Sequence, residues 1–203
     1  MSQPSQVYLL AAGQGKRAGG PKAWLQVDGE PLLKKQIDFL LGLFDPERLT
    51  VSIQEDWLAK CRMINERVKW VAVDPEAAPL ASLQALIKAS PMVRWSFVYH
   101  VDHPVFEQAV FQMLLRETAN AKASAFVPVS DAKRGHPLLV SHGLGPKILE
   151  LDPAKDRLDA FMRTQTVSEV LVPFPCVLEN WNDGAPAPPS GTAAGNADGD
   201  SCL

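Results

Sequence analysis

Val7-Tyr8-Leu9-Leu10-Ala11-Ala12-Gly13-Gln14-Gly15-Lys16-Arg17-Ala18-Gly19-Gly20-Pro21-Lys22 joins a continuous apolar run to a glycine-rich loop that carries three cations. An uninterrupted apolar strand is one covered on both faces, which points to a parallel sheet. Glycine lacks the Cβ that holds a backbone away from a polyphosphate, so the N–H groups of Gly13, Gly15, Gly19 and Gly20 can turn toward anionic oxygens. Arg17 adds a planar fork for phosphate oxygens and Lys22 a point charge on a flexible stem, while Lys16 reads as solvated. The spacing is neither G-x-x-x-x-G-K-[ST] nor a G-x-G-x-x-G that opens directly into a helix. Pro21 and the stretch from Ala23 to Val27 predict an extended segment after the loop. The alternative is a surface glycine loop whose cations are merely solvated.

Strand and helix patterns alternate downstream. Pro31 opens a predicted helix whose apolar stripe, Leu32, Leu33, Ile37, Leu40, Leu41 and Phe44, is broken only by Gln36. Strands are predicted at 49–53 and 68–73, with Asp56 capping a short helix between them. A helix over 81–89 is followed by an apolar strand over 95–101, at whose carboxyl end Asp102 stands. Pro104 begins another predicted helix with Phe106, Val110, Met113 and Leu114 facing inward, and strands follow at 123–129, 136–141 and 167–172 with helices at 144–151 and 157–162. From Gly184 the chain is small, polar and proline-rich, which predicts a disordered tail over 184–203 behind one domain over 1–183.

The composition of the 203 residues, 46% hydrophobic and 21% charged with a net charge of −3, is that of an ordinary globular chain. Its basic residues are dispersed, so a nucleic-acid-binding surface is not expected. Cys61, Cys176 and Cys202 are too scattered for a disulfide framework or a metal knuckle. With no apolar stretch of bilayer length and no cationic leader, a cytoplasmic protein without membrane contact is expected.

In open parallel sheets ligands collect beyond the carboxyl ends of the strands, where both the glycine loop and Asp102 fall. A carboxylate facing a phosphate cradle calls for a cation between them, and Mg2+, which takes few protein carboxylates plus phosphate oxygens, suits Asp102 as its ligand. An Asp just before x-Pro can instead cap a helix.

The ordered series Leu10-Ala11-Ala12-Gly13, Gly15, Arg17, Gly19, Pro21, Lys22 resembles the signature of the MobA-like nucleotidyltransferases, which include molybdopterin cytidylyltransferase and guanylyltransferase. Ala18 stands where that family usually has Met. The resemblance spans roughly residues 6–183. It implies an α/β fold, a three-layer αβα sandwich around a mostly parallel, Rossmann-like sheet of the nucleotide-diphospho-sugar transferase type. The implied reaction is transfer of a nucleoside monophosphate from an NTP to a phosphorylated acceptor such as molybdopterin, with release of pyrophosphate. Leu10, Ala11, Ala12, Gly13, Gly15, Arg17, Lys22 and Ser82 are then expected around the nucleotide, with Arg17, Lys22 and Asp102 catalytic.

Val101-Asp102-His103-Pro104 is similar to the family's D-Q-P element, whose Asp binds magnesium, with His103 replacing Gln. A second metal-binding element, D-x-[DN]-T-P-x-D, is matched at Asn182, but Asn180 replaces its first Asp and T-P is absent. Arg134-Gly135-His136-Pro137 resembles the G-H-P segment of the cytidylyltransferase branch and, with His103, implies an acceptor side of the cleft; a turn leading into a strand is the other reading. Ser82 lies in an S-L element and is equally readable as a helix N-cap. Ala12, where the guanylyl branch has Gly, narrows the base pocket and favours a pyrimidine, hence CTP. The five tryptophans are read as packing residues, and His100 and His142 as structural or exposed. A monomer or weak homo-oligomer is expected. A sugar-phosphate acceptor and a non-catalytic nucleotide-binding module remain open alternatives, whereas a dinucleotide-dependent dehydrogenase lacks its acidic residue after the glycine loop.

Overall fold

The computed structural model describes residues 5–15, 20–120 and 122–181. β1 (Ser5–Leu10) is buried along its whole length. Successive side chains of a strand point to opposite faces, and accordingly Val7 and Leu9 feed one apolar core while Tyr8 and Leu10 feed another. A small hairpin follows, β2 (Gln26–Val27) and β3 (Glu30–Pro31), turning at Asp28 and Gly29. The remaining strands are β4 (Leu49–Ile53), β5 (Lys69–Ala72), β6 (Trp95–His100), β7 (Ala125–Ser130), β8 (Lys133–Arg134), β9 (Leu138–Ser141) and β10 (Val167–Leu171). α1 (Leu32–Leu41), α2 (Leu58–Ile64) and α4 (Gln108–Glu117) contribute buried residues to the first core. α3 (Pro79–Ala89), α5 (Leu144–Glu150) and α6 (Leu158–Arg163) contribute to the second. The result is the expected three-layer αβα sandwich.

The central sheet has the order β10-β7-β9-β6-β1-β4-β5, with β8 paired to β7. β1 pairs in parallel with both β4 and β6, β4 with β5, and β7 with β10; β9 and β8 run against their neighbours. From β1 the chain winds outward through β4 to β5, then returns to the opposite side of β1 at β6. The carboxyl ends of β1 and β6 therefore flank the reversal of strand order, where a crevice opens by topology alone. Leu10 and His100 are register partners there, so the loop after Leu10 and the turn at Asp102 leave the sheet side by side.

Several local expectations are corrected. The segment after Pro21 is a 3-10 turn at Lys22–Trp24, with extended structure only from Gln26. Asp56 lies in a 3-10 turn ahead of α2 and makes no side-chain cap; Met63 is 87% exposed. α4 begins at Gln108 instead of Pro104, and its cap is Glu107, whose carboxylate accepts from the N–H of Ala109. Phe106 consequently lies outside the helix and is partly exposed. Asp102 caps no helix, which leaves its carboxylate for other work. Ser82 sits inside the first turn of α3, with its N–H bonded to Ala78, and is not the cap either. No helix of the described residues is long and apolar enough to cross a membrane. The tail expected over 184–203 lies outside the described residues.

Candidate active site

Leu10, Ala12, Gly13, Gly15, Lys22, Ser82 and Asp102 line one recess of about 180 Å³ at the carboxyl end of β1. Its floor is held from below: the N–H of Ala11 donates to both the carbonyl and the hydroxyl of Ser52, and the Gln54 amide donates to the carbonyl of Ala12 at 2.9 Å. Ala11, expected beside the nucleotide, is 1% exposed and turned into the first core instead. The period-two alternation that places Ala12 in the recess places Ala11 away from it. Gly15 has φ +62 and its carbonyl accepts from the N–H of Gly20 at 3.2 Å, which closes the loop on itself. Lys16, Arg17, Ala18 and Gly19 lie outside the described residues, as do Asn182 and Asp183.

Asp102 is fixed through its backbone. Val101 N–H donates to the Leu10 carbonyl, the Gln36 amide to the Val101 carbonyl at 3.1 Å, and Trp181 N–H to the Asp102 carbonyl at 2.8 Å. Gln36, the one polar break in the stripe of α1, is thus fully buried and spent on the residue before Asp102. The carboxylate accepts from the Lys22 ammonium at 2.8 Å, with the two side chains 26% and 15% exposed. Burial raises the Asp102 carboxyl, but the Lys22 hydrogen bond and charge, with the nearby imidazoles, outweigh it and hold the group below the ordinary carboxylate value. It is therefore ionised at neutral pH. A cation already rests on this oxygen, which is the chemistry a magnesium ligand needs. One ionised carboxylate oxygen in the recess is a donor that suits an ion completing its shell from water and phosphate.

A second cavity, of about 890 Å³, adjoins the recess, and Leu10, His100 and Asp102 line both. Its wall includes Leu80, Val127, Leu138, Met162 and Val167, and His103, Gly135 and His136 stand near Asp102. The His103 and His136 rings lie 4.1 Å apart, tilted by 31°. Burial, with the two neighbouring imidazoles, pushes His136 down to about 3, so its ring is neutral at physiological pH. Its Nδ1 is buried and has no hydrogen-bond partner. Arg134, Lys155, Arg157 and Arg163 reach the same cavity, but they pair with Glu169, Asp152, Asp159 and Asp159, at 2.8, 2.9, 2.9 and 3.3 Å.

Gly135 passes so close to the turn Pro175–Leu178 that a Cβ would stand 2.3 Å from the Val177 carbonyl oxygen, which accepts from His136 N–H at 2.8 Å. Gly135→Ala is expected to cost about 1–3 kcal/mol by overpacking, read as a lowered denaturant midpoint, and to raise the acceptor KM while leaving that of the nucleotide unchanged.

Two residues of this region escaped the sequence reading. His100, taken as structural or exposed, lines both cavities. Asp74, two residues beyond β5, is exposed and lines the glycine-loop recess, with one carboxylate oxygen accepting from Glu76 N–H at 2.8 Å; its place after a strand end is the only signal that could have found it.

A glycine-loop recess and a larger apolar cavity meeting at one carboxylate define a two-ligand site at the switch point of a doubly wound α/β sheet. The chain belongs to the family described as the MobA-like NTP transferase domain, whose model matches residues 7–170. A probable molybdenum cofactor guanylyltransferase of Opitutus terrae is 33% identical over 119 residues, which are 57% of this chain and 56% of that protein. The chain thus aligns with little more than half the length of this relative. The crystal structure of Rv0371c from Mycobacterium tuberculosis H37Rv superposes with a TM-score of 0.71 at 22% identity, covering 89% of this chain and 95% of that one. A structure of Rv0371c in complex with manganese gives 0.66 at 19% identity, covering 89% and 96%. At these identities the two structures speak to the fold.

Proposed function

We propose that the protein transfers a nucleoside monophosphate, with CMP from CTP favoured, to the phosphate of a molybdopterin-type acceptor and releases pyrophosphate. The observation that carries this reading is the single carboxylate, Asp102, shared by the nucleotide recess and the larger cavity. An acceptor phosphate oxygen attacks the α-phosphorus, a new P–O–P linkage forms, and the bond to the β-phosphate breaks. The nucleophile is already ionised at neutral pH, so no general base is required, and catalysis rests on positioning and charge. Lys22 and Arg17 carry positive charge to the phosphate oxygens. Asp102, with Asn182, would hold Mg2+, which neutralises charge on the phosphates when bound.

The acceptor cavity favours a largely apolar or heteroaromatic body over a sugar. Part of its wall is aliphatic, the His136 imidazole is neutral, and its four cations each pair with a carboxylate, two of them sharing Asp159. His136 Nδ1 offers that body one hydrogen-bonding atom. At the base, the Ala12 methyl supports a pyrimidine, and the Asp74 carboxylate suits a base bearing an amino donor, which cytosine has and uracil lacks. GTP use is the second reading, favoured by the guanylyltransferase relative, since guanine also carries an amino donor. A cytoplasmic monomer or weak homo-oligomer accords with this role.

Magnesium-dependent pyrophosphate release, measured across CTP, GTP, ATP and UTP with and without molybdopterin, tests the proposal. Release from CTP only when the pterin is present is the expected result. Selective use of GTP would overturn the base assignment, and release with sugar phosphates would overturn the acceptor. Calorimetric NTP binding with no turnover on any acceptor would show a non-catalytic module.

A further inference from the structure

We propose that His103 and Asn180 form a positioning pair that docks the segment 175–181 onto the Asp102 turn, with Asn180 acting through its amide N–H and not as a metal ligand. Its functional arm rests on the nucleotidyl-transfer reading above; its structural arms do not. By the sequence pattern, Asn180 stands where the second metal-binding element has its first Asp, an amide in place of a carboxylate. In the structure the Asn180 amide nitrogen instead lies 3.3 Å from Nε2 of His103.

The hydrogen-bonding role of each ring nitrogen follows from its partner. His103 Nδ1 stands 2.9 Å from the carbonyl oxygen of Glu179, and a carbonyl oxygen can only accept. Nδ1 therefore donates, and Nε2, which faces an amide nitrogen that can only donate, accepts through its lone pair. Only a donor satisfies that lone pair. An amide N–H does, whereas a carboxylate at position 180 would place its own lone pairs against it. The pair is one of several ties along the same segment. Trp181 N–H donates to the Asp102 carbonyl at 2.8 Å, the Trp181 indole to the Glu179 carboxylate at 2.9 Å, and His136 N–H to the Val177 carbonyl at 2.8 Å. The His103 side chain touches both ends of this arrangement, since its ring also packs, tilted, against that of His136 in the cavity wall. It is thus placed to hold the end of the segment, the carboxylate turn and the acceptor cavity in one geometry.

Asn180→Asp separates the two roles, because a ligand gains charge while a positioning donor loses its N–H. Titration of the full chain with Mn2+ alone, without nucleotide, is expected to show binding no tighter than in the parent; several-fold tighter binding would overturn the proposal. A long-range 1H–15N spectrum of the metal-free protein in mildly alkaline solution should show His103 as the Nδ1–H tautomer, and an Nε2–H tautomer would overturn it. With substrates, His103→Leu and Asn180→Ala are each expected to raise the acceptor KM and the metal requirement by about tenfold or more, the scale on which partners behind a site's ligands act. The double variant should be no worse than either single one. His103→Gln, whose amide can donate to Glu179 and accept from Asn180, should recover most of what His103→Leu loses. Additive losses, or no recovery with Gln, would overturn the pairing. If the parent itself shows no turnover, the proposed reaction fails while the tautomer and Mn2+ results still decide the pair.

Discussion

Asp102→Ala is expected to abolish magnesium-dependent pyrophosphate release while leaving the chain folded. Asp102 is the one carboxylate among the described residues that lines both the nucleotide recess and the acceptor cavity. It is already ionised and already engaged with a cation at 2.8 Å. Removing a group that stabilises charge in a transition state costs on the order of 10²–10³-fold in turnover, and a carboxylate proposed to hold the metal belongs at or beyond the upper end. The fold survives because the turn is held by main-chain contacts from Leu10, Gln36 and Trp181 that do not involve the carboxylate. Asp102→Asn sharpens the test, since its amide oxygen can still accept from Lys22 but carries no charge. Both variants should give circular dichroism close to that of the parent and no metal-dependent turnover. CTP turnover by the Asp102→Ala protein comparable with the parent's would remove Asp102 from the reaction.

Gly15→Ala is expected to disable nucleotide binding with little effect on global stability. Gly15 sits at φ +62, in the left-handed region that a Cβ disfavours, and an added Cβ would stand 1.8 Å from the carbonyl oxygen of Gly20. That oxygen belongs to backbone, so no side chain can swing aside. The loop has to open, and the Gly20 to Gly15 hydrogen bond that closes it is lost. Lys22, two residues past Gly20, moves with it. Misplacing binding groups by about 1 Å can cost on the order of 10²-fold, and a loss of that size in kcat/KM for the nucleotide is expected. Calorimetry should show weakened NTP binding at a nearly unchanged Tm, because Gly15 contributes to neither apolar core. Parental NTP affinity in this variant would show that the loop conformation does not hold the nucleotide.

The fold was legible because it is written in short-range periodicity. The apolar runs at β1, β4 and β6 and the stripes of α1 and α3 each announce an element that must bury a face, and their alternation implies a parallel sheet. Boundaries were less legible where local signals compete. Pro104 reads as a helix start, yet α4 waits for Glu107 because only there does a side chain meet an unpaired helix N–H. The reversal of β9 between β6 and β7 has no marker in its own residues, since strand direction depends on which neighbours it finds.

The candidate site divides in the same way. Gly13, Gly15, Lys22 and Asp102 could be named from the sequence, because glycine spacing and a carboxylate at a strand end follow from local chemistry. Their meeting could not, since Lys22 and Asp102 are eighty residues apart and are joined only because the strand order turns between β1 and β6. Asp74 and His100 entered the site by the same route. Ala11 left it by the pleat of the strand. Asn180 shows the limit most clearly: sequence pattern marks it only as an amide in place of a carboxylate, whereas its neighbour in space, His103, gives its N–H a partner. Amino-acid sequence thus determined which elements form and which residues have the side-chain chemistry to be candidates for phosphate and metal, since propensity and side-chain chemistry act over a few residues. The tertiary structure decided which of those residues share a cavity and in what protonation state, because distance and desolvation are properties of neighbours brought together by the sheet.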